Sequence, residues 1–527
     1  MKITGIKTYW LKVPYDKPFE PTWYPGKRET HQHILLVRVM TDEGIEGYGS
    51  GEFPFGLTPT YMTFIQDMIA PWLIGQDPLM IEKLATRLKG DGRLAPRPWI
   101  VENALWDILG KKPGLPTYKV MGGYRDHIPA YAAMCELRSD EERQEDALRL
   151  FDEGFRAVKL RLFMPTIKED IHIVENIRKA VGDKMTIICD ANQGPVRDRN
   201  FEGGRVPFWT YQRALETAKE LHDLGVLWLE EPLDHYDIHG IRRLTEETEI
   251  AIAGGEIMNG IQDITTLIDN ECYDIYMPNI TLCCGISHVR KIAAMAERRG
   301  NKLVNIHGWV PGTGVAAALA TICSYPNATW LEVPHDPPAI TPDSFQGIVK
   351  EPLRINKADG CLYCPDKPGF GVELDVHLMK DGNLAVIHDA SLLRTAGADV
   401  LVEDLTAEEV KRYRLEGTRE QIPLLEEVLP LFEQSGLPLV VELKAERGNH
   451  DALAAATCAV LDKYKVLYCI ESFDPRCIRW LKKNRPEIVR GQLSENFLRH
   501  GDGGNMPKPL LWALGNLLTN CLAKPDF

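Results

Sequence analysis

Residues 156–190 read RAVKLRLFMPTIKEDIHIVENIRKAVGDKMTIICD. The stretch opens on an apolar, β-rich run (156–162) and passes through a helical periodicity over 166–181. It closes on a second apolar run (185–189) that ends at Asp190. That strand–helix–strand unit recurs along the chain. Further runs lie at 128–133, 226–229, 250–254, 273–277, 302–306 and 328–331, with amphipathic segments such as 211–224, 260–270 and 286–299 between them. Eight such runs over roughly 210 residues suit a (β/α)8 TIM barrel better than an open doubly wound sheet.

Outward from this barrel, assigned to 126–335, the pattern changes on both sides. Residues 1–12 and 33–49 predict strands joined by the Asp42-Glu43-Gly44 turn, and 58–122 predict helices ended by Gly110 and Pro113, which makes 1–125 an α+β domain. Residues 336–375 are Pro-rich and irregular. Beyond them a second alternation has strands expected at 371–378, 384–388, 438–443, 466–471 and 488–493. The expected fold class is therefore α/β: an α+β domain, a modified TIM barrel, and an incomplete second barrel over 376–527.

Composition narrows the partners. The 527 residues are 44% hydrophobic and 26% charged, with a net charge of −14, which disfavours nucleic acid and anionic membranes as partners. An anionic small substrate stays open, because a bound metal can outweigh the global sign. The N-terminus lacks the apolar core of a signal peptide, and the most apolar late stretch (507–523) is broken by Lys508, Asn516 and Asn520. The twelve cysteines are scattered, with one CxxC at Cys361 and Cys364 and no second to complete a zinc site. A cytoplasmic protein with reduced thiols is expected.

In a TIM barrel the chemistry sits at the C-terminal ends of the strands. Those ends carry Lys159 and Arg161, then Asp190, Glu230, Glu256, Asn279, His307 and Glu332. Any one acid would ordinarily be a helix cap or a salt-bridge partner. Three acids closing three consecutive apolar strands (Asp190, Glu230, Glu256) point instead to one hard cation, Mg²⁺ before Zn²⁺. Lys159 and Arg161, two apart on one strand, share a face. Such a set suits proton abstraction beside a carboxylate, where the obstacle is the charge of the enediolate.

These residues resemble the mandelate racemase-like group of the enolase superfamily. The likeness spans about 1–375 and rests on ENALWDILGKKPGLPTYKVMGG (102–123), KLR (159–161), CDANQG (189–194), WLEEP (228–232), GGE (254–256), IHGW (306–309) and DKPGFGVELD (366–375). It implies that the N-terminal domain caps the barrel and that Asp190, Glu230 and Glu256 bind Mg²⁺. It further implies that Lys159 and Asn192 meet a small carboxylate substrate, that His307 is the general base or acid, and that Glu332 hydrogen-bonds the enediolate. Loops around 17–31, with Trp23 and Tyr24, and around 52–58, with Phe53 and Phe55, would set specificity. So would the 194–209 segment, where Arg197, Arg199 and Arg205 are candidate substrate contacts or surface charges. Homo-oligomers are the habit of this group. Two positions depart from it. Arg161 stands where many relatives have a second Lys, and Asn279 where the partner of the catalytic His is usually Asp. Arg holds its proton too tightly for two-base racemisation, so a sugar-acid dehydratase is expected, with a racemase or epimerase as the alternative.

Residues 371–527 resemble a second family, the glycerophosphodiester phosphodiesterases. The matching words are GVELDVHLMKDGNLAVIHDASLLRTAG (371–397), IPLLEEVLPLF (422–432), PLVVELKAE (438–446) and ESFDPRCIRWLKKNRPEIVRGQLSENF (471–497). The resemblance implies metal ligands at Glu373, Asp375 and Glu442, an acid/base at His388 and a phosphate contact at Lys444. The His-Arg pair that opens that family's barrel is missing near the start of this segment, and about five strands of eight are accounted for. No hydrolase activity is expected, and the segment reads as a passenger joined at the shared word GVELD.

Overall fold

The computed structural model describes residues 1–24, 26–53, 56–93, 96–194, 208–349, 351–370, 375–378, 384–385, 392, 400–413, 422–429, 439–445, 449–466, 468–472 and 474–492. The chain divides into two compact units, Met1–Val372 and Glu373–Phe527.

The first unit opens with an antiparallel sheet of β1 (Ile3–Phe19), β2 (Glu29–Thr41) and β3 (Glu46–Gly51) in that order. β1 runs past the expected end at residue 12 and through Pro14, which an edge strand tolerates. Helices α1 (Thr58–Phe64) and α2 (Ala70–Leu73) follow, joined by the π-helical Ile65–Ile69, then α3 (Ile81–Asp91), α4 (Trp99–Lys111) and α5 (Thr117–Val120). α4 is buried nearly all round because it is clasped between β3 and the barrel. On the sheet side Gly47 and Gly49 allow the contact, since a methyl at either would collide with the carbonyls of Ala104 and Ile100. On the barrel side Glu102 Oε1 accepts from the Ser287 N–H at 2.7 Å, and Trp99 Nε1 donates to the Cys283 carbonyl at 3.1 Å.

The barrel strands are β4 (His127–Ala133), β5 (Ala157–Arg161), β6 (Thr186–Asp190), β7 (Trp228–Glu230), β8 (Ala251–Gly254), β9 (Ile275–Tyr276), β10 (Leu303–Val304) and β11 (Leu331–Pro334). They pair in parallel in chain order from β4 to β10, and β11 returns to pair with β4. Helices α6 (Asp140–Glu153), α7 (Ile167–Val181), α8 (Tyr211–Asp223), α9 (Ile238–Glu247), α10 (Ile261–Asp269), α11 (Ile286–Arg298) and α12 (Gly314–Ile322) alternate with the strands. Capping boxes start two of them, Ser139 with Glu142 and Thr166 with Glu169. The eighth strand lies three residues beyond the expected 328–331. There the Asn305 side chain takes the place of a ladder, its Oδ1 accepting from Thr329 N–H at 3.0 Å and Trp330 N–H at 3.3 Å. Tyr131, Ile188, Trp228, Ile275 and Met277 fill the barrel interior.

The return segment pairs β12 (Cys361–Tyr363) antiparallel with β4 and then packs on the N-terminal helices. Thr117 N–H donates to the Gly369 carbonyl at 3.3 Å, and Phe370 N–H to Asp107 Oδ1 at 2.5 Å. Among the described residues of the second unit, one sheet has the order β14 (Leu384–Ala385), β13 (Asp375–Leu378), β15 (Leu439–Leu443), β16 (Tyr468–Ser472) and β17 (Val489–Gln492). β13, β15, β16 and β17 are parallel, but β14 runs antiparallel to β13. Only five residues separate Leu378 from Leu384, too few for the parallel crossover that a barrel strand at 384–388 requires. Of the shared word only Asp375 is among the described residues, and it opens the strand Asp375–Leu378 of the second sheet, while Phe370, just before the word, packs on the cap.

Candidate active site

The C-terminal ends of β5 to β11 bring the expected residues together. The Lys159 ammonium is wholly buried, 2.6 Å from Glu332 Oε1, 2.9 Å from Glu230 Oε1 and 3.2 Å from Asp190 Oδ2. Burial works to strip its proton, but Glu230, Glu332 and Asp190 outweigh it and hold the amine well above its usual range. Arg161 pairs with Asp190, donates to Asn192 Oδ1 at 2.8 Å and lies 5.1 Å over the Trp23 ring. Its acidity is pushed further down by Asp190 against the cost of burial, so it stays a guanidinium. Trp23 meets Trp309 edge-on at 5.2 Å, which joins the cap loop to the residue two beyond His307. Tyr24 turns to Lys27, whose Nζ is 5.8 Å from its ring.

Burial raises the Glu230 carboxyl to about 8 against the pull of Lys159, and burial with the charges of Glu231, Asp190 and Glu230 pushes Glu256 well up. Glu332 behaves oppositely. Lys159, His307 and Arg161 overcome its burial and bring it down to about 2. As an ionised acceptor it takes the Gly308 N–H at 2.8 Å; a hydrogen bond given to an enediolate would first require it to gain a proton. Burial also lowers His307, partly offset by Glu332. His307 Nε2 lies 3.2 Å from Glu256 Oε2 and 3.7 Å from Glu332 Oε2, while Nδ1 is 3.0 Å from Asn279 Nδ2.

Among the described residues no three acidic, His or Cys groups already surround a single cation position. The Lys159 ammonium lies among the acids as their counter-charge. The donor set nevertheless fits Mg²⁺. Asp190, Glu230 and Glu256 offer hard oxygens from adjacent strands, and Glu256 Oε2 is buried with no hydrogen-bond partner.

Several residues here escaped the sequence reading. Glu231, at φ 46°, faces His235 Nε2 at 2.9 Å, and a methyl at Gly194 would strike both. Asn192 (φ 44°) is a second left-handed non-glycine at the same rim; such backbone costs of order 1–3 kcal/mol and clusters at functional sites. The doubled acid of WLEEP and a His four residues on was the available signal. Glu52 accepts from Trp309 Nε1 and Gln32 Nε2, both at 2.7 Å. Phe53, expected to shape specificity, instead stacks on Tyr61 at 3.6 Å in the core. Phe55, Arg197, Arg199 and Arg205 lie outside the described residues.

In the second unit Glu442 is buried on β15, with Lys444 Nζ 3.1 Å from its Oε1. Asp375, Glu442 and Glu471 stand in register on three neighbouring strands. Glu373 and His388 lie outside the described residues.

Comparison with known proteins settles the family. Residues 15–122 match the N-terminal domain of mandelate racemase / muconate lactonizing enzyme, and 142–378 match the enolase C-terminal domain-like family. The 3,6-anhydro-alpha-L-galactonate cycloisomerase of Streptomyces coelicolor is 30% identical over 67% of this chain and 91% of its own. This chain belongs to the enolase superfamily. The arabinonate dehydratase of Saccharolobus solfataricus is 29% identical over 66% of this chain and 89% of its own. The L-talarate dehydratase of Polaromonas sp. JS666, solved with Mg and L-glucarate, superposes with a TM-score of 0.61 at 26% identity, covering 70% of this chain and 94% of that one. Other relatives of this superfamily member are named racemase or epimerase. Residues 368–515 match the glycerophosphoryl diester phosphodiesterase family, so the two matches overlap at 368–378.

Proposed function

We propose that the first unit is a Mg²⁺-dependent dehydratase that removes water from a sugar acid after loss of the proton α to its carboxylate. Bound to Asp190, Glu230 and Glu256, Mg²⁺ would supply a Lewis acid for the substrate carboxylate and for the charge that grows there. Lys159 adds a fixed positive charge beside the same carboxylate, and Glu332 holds it in place. Arg161 and Asn192 provide donors at the rim for a polyhydroxy chain, with Trp23 closing the mouth over Arg161. His307 is the proton-handling group on the opposite side from the β5 pair. The observation that carries the reading is the acid series at three consecutive strand ends, held against one buried lysine, in a chain whose relatives include sugar-acid dehydratases.

Isomerisation at the same site is the second reading, supported by the cycloisomerase relative. Two-base racemisation has less support, because Arg161 is kept charged by Asp190. The second unit is proposed to be inactive toward glycerophosphodiesters. No helix among the described residues is long and apolar enough to cross a membrane, and the described cysteines are free, as reduced thiols in a cytoplasmic setting would be; a homo-oligomer is carried over from the resemblance alone. Proton NMR in D₂O with Mg²⁺ and a panel of sugar acids tests the reading. A 2-keto-3-deoxy product establishes dehydration; isomerised product or α-deuteration without loss of water overturns it.

A further inference from the structure

Asn279 follows β9, and its side-chain amide is fixed from both ends. Oδ1 accepts from the Thr281 N–H at 2.7 Å, the Leu282 N–H at 2.8 Å and the Thr281 hydroxyl at 2.8 Å. Backbone N–H groups only donate, so the atom facing them is the carbonyl oxygen. On the other side Nδ2 donates to the Trp309 carbonyl at 3.1 Å. A carbonyl only accepts, so the same orientation follows independently, which removes the usual ambiguity of an amide. The NH₂ group therefore faces His307 Nδ1 at 3.0 Å. An amide NH₂ has no acceptor capacity, and this contact is a hydrogen bond only when Nδ1 carries no proton.

We propose that Asn279 is a positioning residue that holds neutral His307 at rest in the Nε2–H tautomer, so that the imidazole must move its proton to Nδ1 before Nε2 can take the α-proton. The amide orientation is fixed on the Nδ1 side of the ring by Thr281, Leu282 and Trp309. Nε2, in contrast, lies 3.2 Å from Glu256, one of the acids that would take Mg²⁺, so the tautomer is to be measured in the Mg²⁺-loaded protein. It rests on the proposed site but not on the identity of the sugar acid. To accept a proton at Nε2, the ring must first carry its own proton on Nδ1, where it would meet the amide NH₂ donor to donor. A carboxylate at position 279 would reverse this preference by accepting from Nδ1–H. In a serine protease an Asp-to-Asn change behind the catalytic histidine lowers kcat by about 10⁴ through the wrong tautomer; here the reverse change is expected to raise His307-dependent exchange of the α-proton by roughly 10² or more on the same grounds.

The test is ¹⁵N NMR of the full chain labelled at histidine, with His307→Gln used only to assign the resonance. The expected result is an unprotonated Nδ1 and a protonated Nε2 in the native protein, reversed in Asn279→Asp, with faster α-deuteration in D₂O. A protonated Nδ1 in the native protein overturns the inference without any variant having to fold. Unchanged or slower exchange in a reversed Asn279→Asp overturns the claim that the tautomer withholds the base. The expected tautomer in a protein that turns over no sugar acid defeats the dehydratase reading and leaves the tautomer assignment standing.

Discussion

Both units of the chain set acids at the ends of parallel strands, and they differ in what surrounds those acids. In the first, β11 returns to pair with β4, and β10 and β11, which share no described ladder, are bridged by the Val304 N–H on the Asn327 carbonyl and by the Asn305 side chain. Lys159 of β5 and His307 beyond β10 therefore both reach Glu332 of β11. In the second, Asp375, Glu442 and Glu471 are aligned across β13, β15 and β16, but β14 and β17 end the described sheet without pairing to each other. A row of ligand-type residues is thus not a site. Closure of the barrel makes residues distant in sequence converge, and it also excludes the water that would weaken their charges.

The sharpest way to break this comparison is to remove one acid from the closed ring. Asp190→Asn or Glu256→Gln is expected to abolish Mg²⁺ binding by calorimetry and lower turnover by roughly 10³ or more, since a metal Lewis acid supplies several kcal/mol. Glu442→Gln in the second unit should leave both measurements where they were. Equal losses from the two units would mean that the closed ring is not the seat of the chemistry.

The closed ring was legible because its signal is periodic. Seven of the eight strands fall within two residues or so of the expected runs, with Asp190 and Glu230 closing their strands and Glu256 two residues past β8. What escaped depended on contacts between distant residues. The Asn305 side chain displaces the eighth strand, and no local pattern announces that. Phe53 looked like a loop aromatic because its partner Tyr61 lies on α1, eight residues on. In the second unit the five-residue connection between Leu378 and Leu384 is the signal of the antiparallel β14, because a parallel crossover needs a dozen residues or so. The roles of Glu332 and His307 were legible only as residue types. The charge of one and the tautomer of the other depend on Lys159, Asn279 and Trp309, which neighbour them only in the folded chain.

Stability sharpens the contrast next. Asp336, beyond β11, accepts from Arg143 through both oxygens at 2.8 and 2.9 Å and from the Cys135 and Glu136 N–H groups at 2.8 and 2.9 Å. It thereby ties the last barrel strand to the first. Asp336→Ala leaves buried Arg143 with Asp146 as its remaining carboxylate and deprives the Cys135 and Glu136 N–H groups of their acceptor, and is expected to cost about 3 kcal/mol in urea unfolding of the first unit. Despite burial, Arg143 and Arg138 hold this carboxyl below its usual value. Its contribution is therefore present above the unfolded value near 4 and lost as pH falls through the lower folded one. Asp336→Asn should flatten that acid limb. Glu52 has the opposite sign. Burial pushes it up to about 7 against the hydrogen bonds from Gln32 and Trp309, so the native state resists ionising it and stability falls as pH rises from near 4.5 through 7. Glu52→Gln keeps an acceptor for Trp309 and should gain about 1 kcal/mol at pH 8 and nothing at pH 4, given its partial exposure. Equal gains at both pH values would show that the carboxyl does not titrate in this range.

The smallest expected effect decides what the second unit is for. The described closing segment of the first unit runs to Phe370, with the Gly369 carbonyl bonded to Thr117 and the Phe370 N–H to Asp107 of the cap, and the division between units falls at Val372. The phosphodiesterase match shares only 368–378 with the enolase match. A chain ending after Val372 therefore retains every residue placed in the site and the described backbone bonds that anchor the return segment. Its sugar-acid turnover and Mg²⁺ affinity are expected to stay within about twofold of the full chain, a difference below 0.5 kcal/mol at roughly 1.4 kcal/mol per tenfold. A large loss on truncation, with Mg²⁺ affinity kept, would make the second unit a working part of the enzyme and no passenger. A loss of the folded state would show instead that residues beyond Val372 are needed for the first unit to fold.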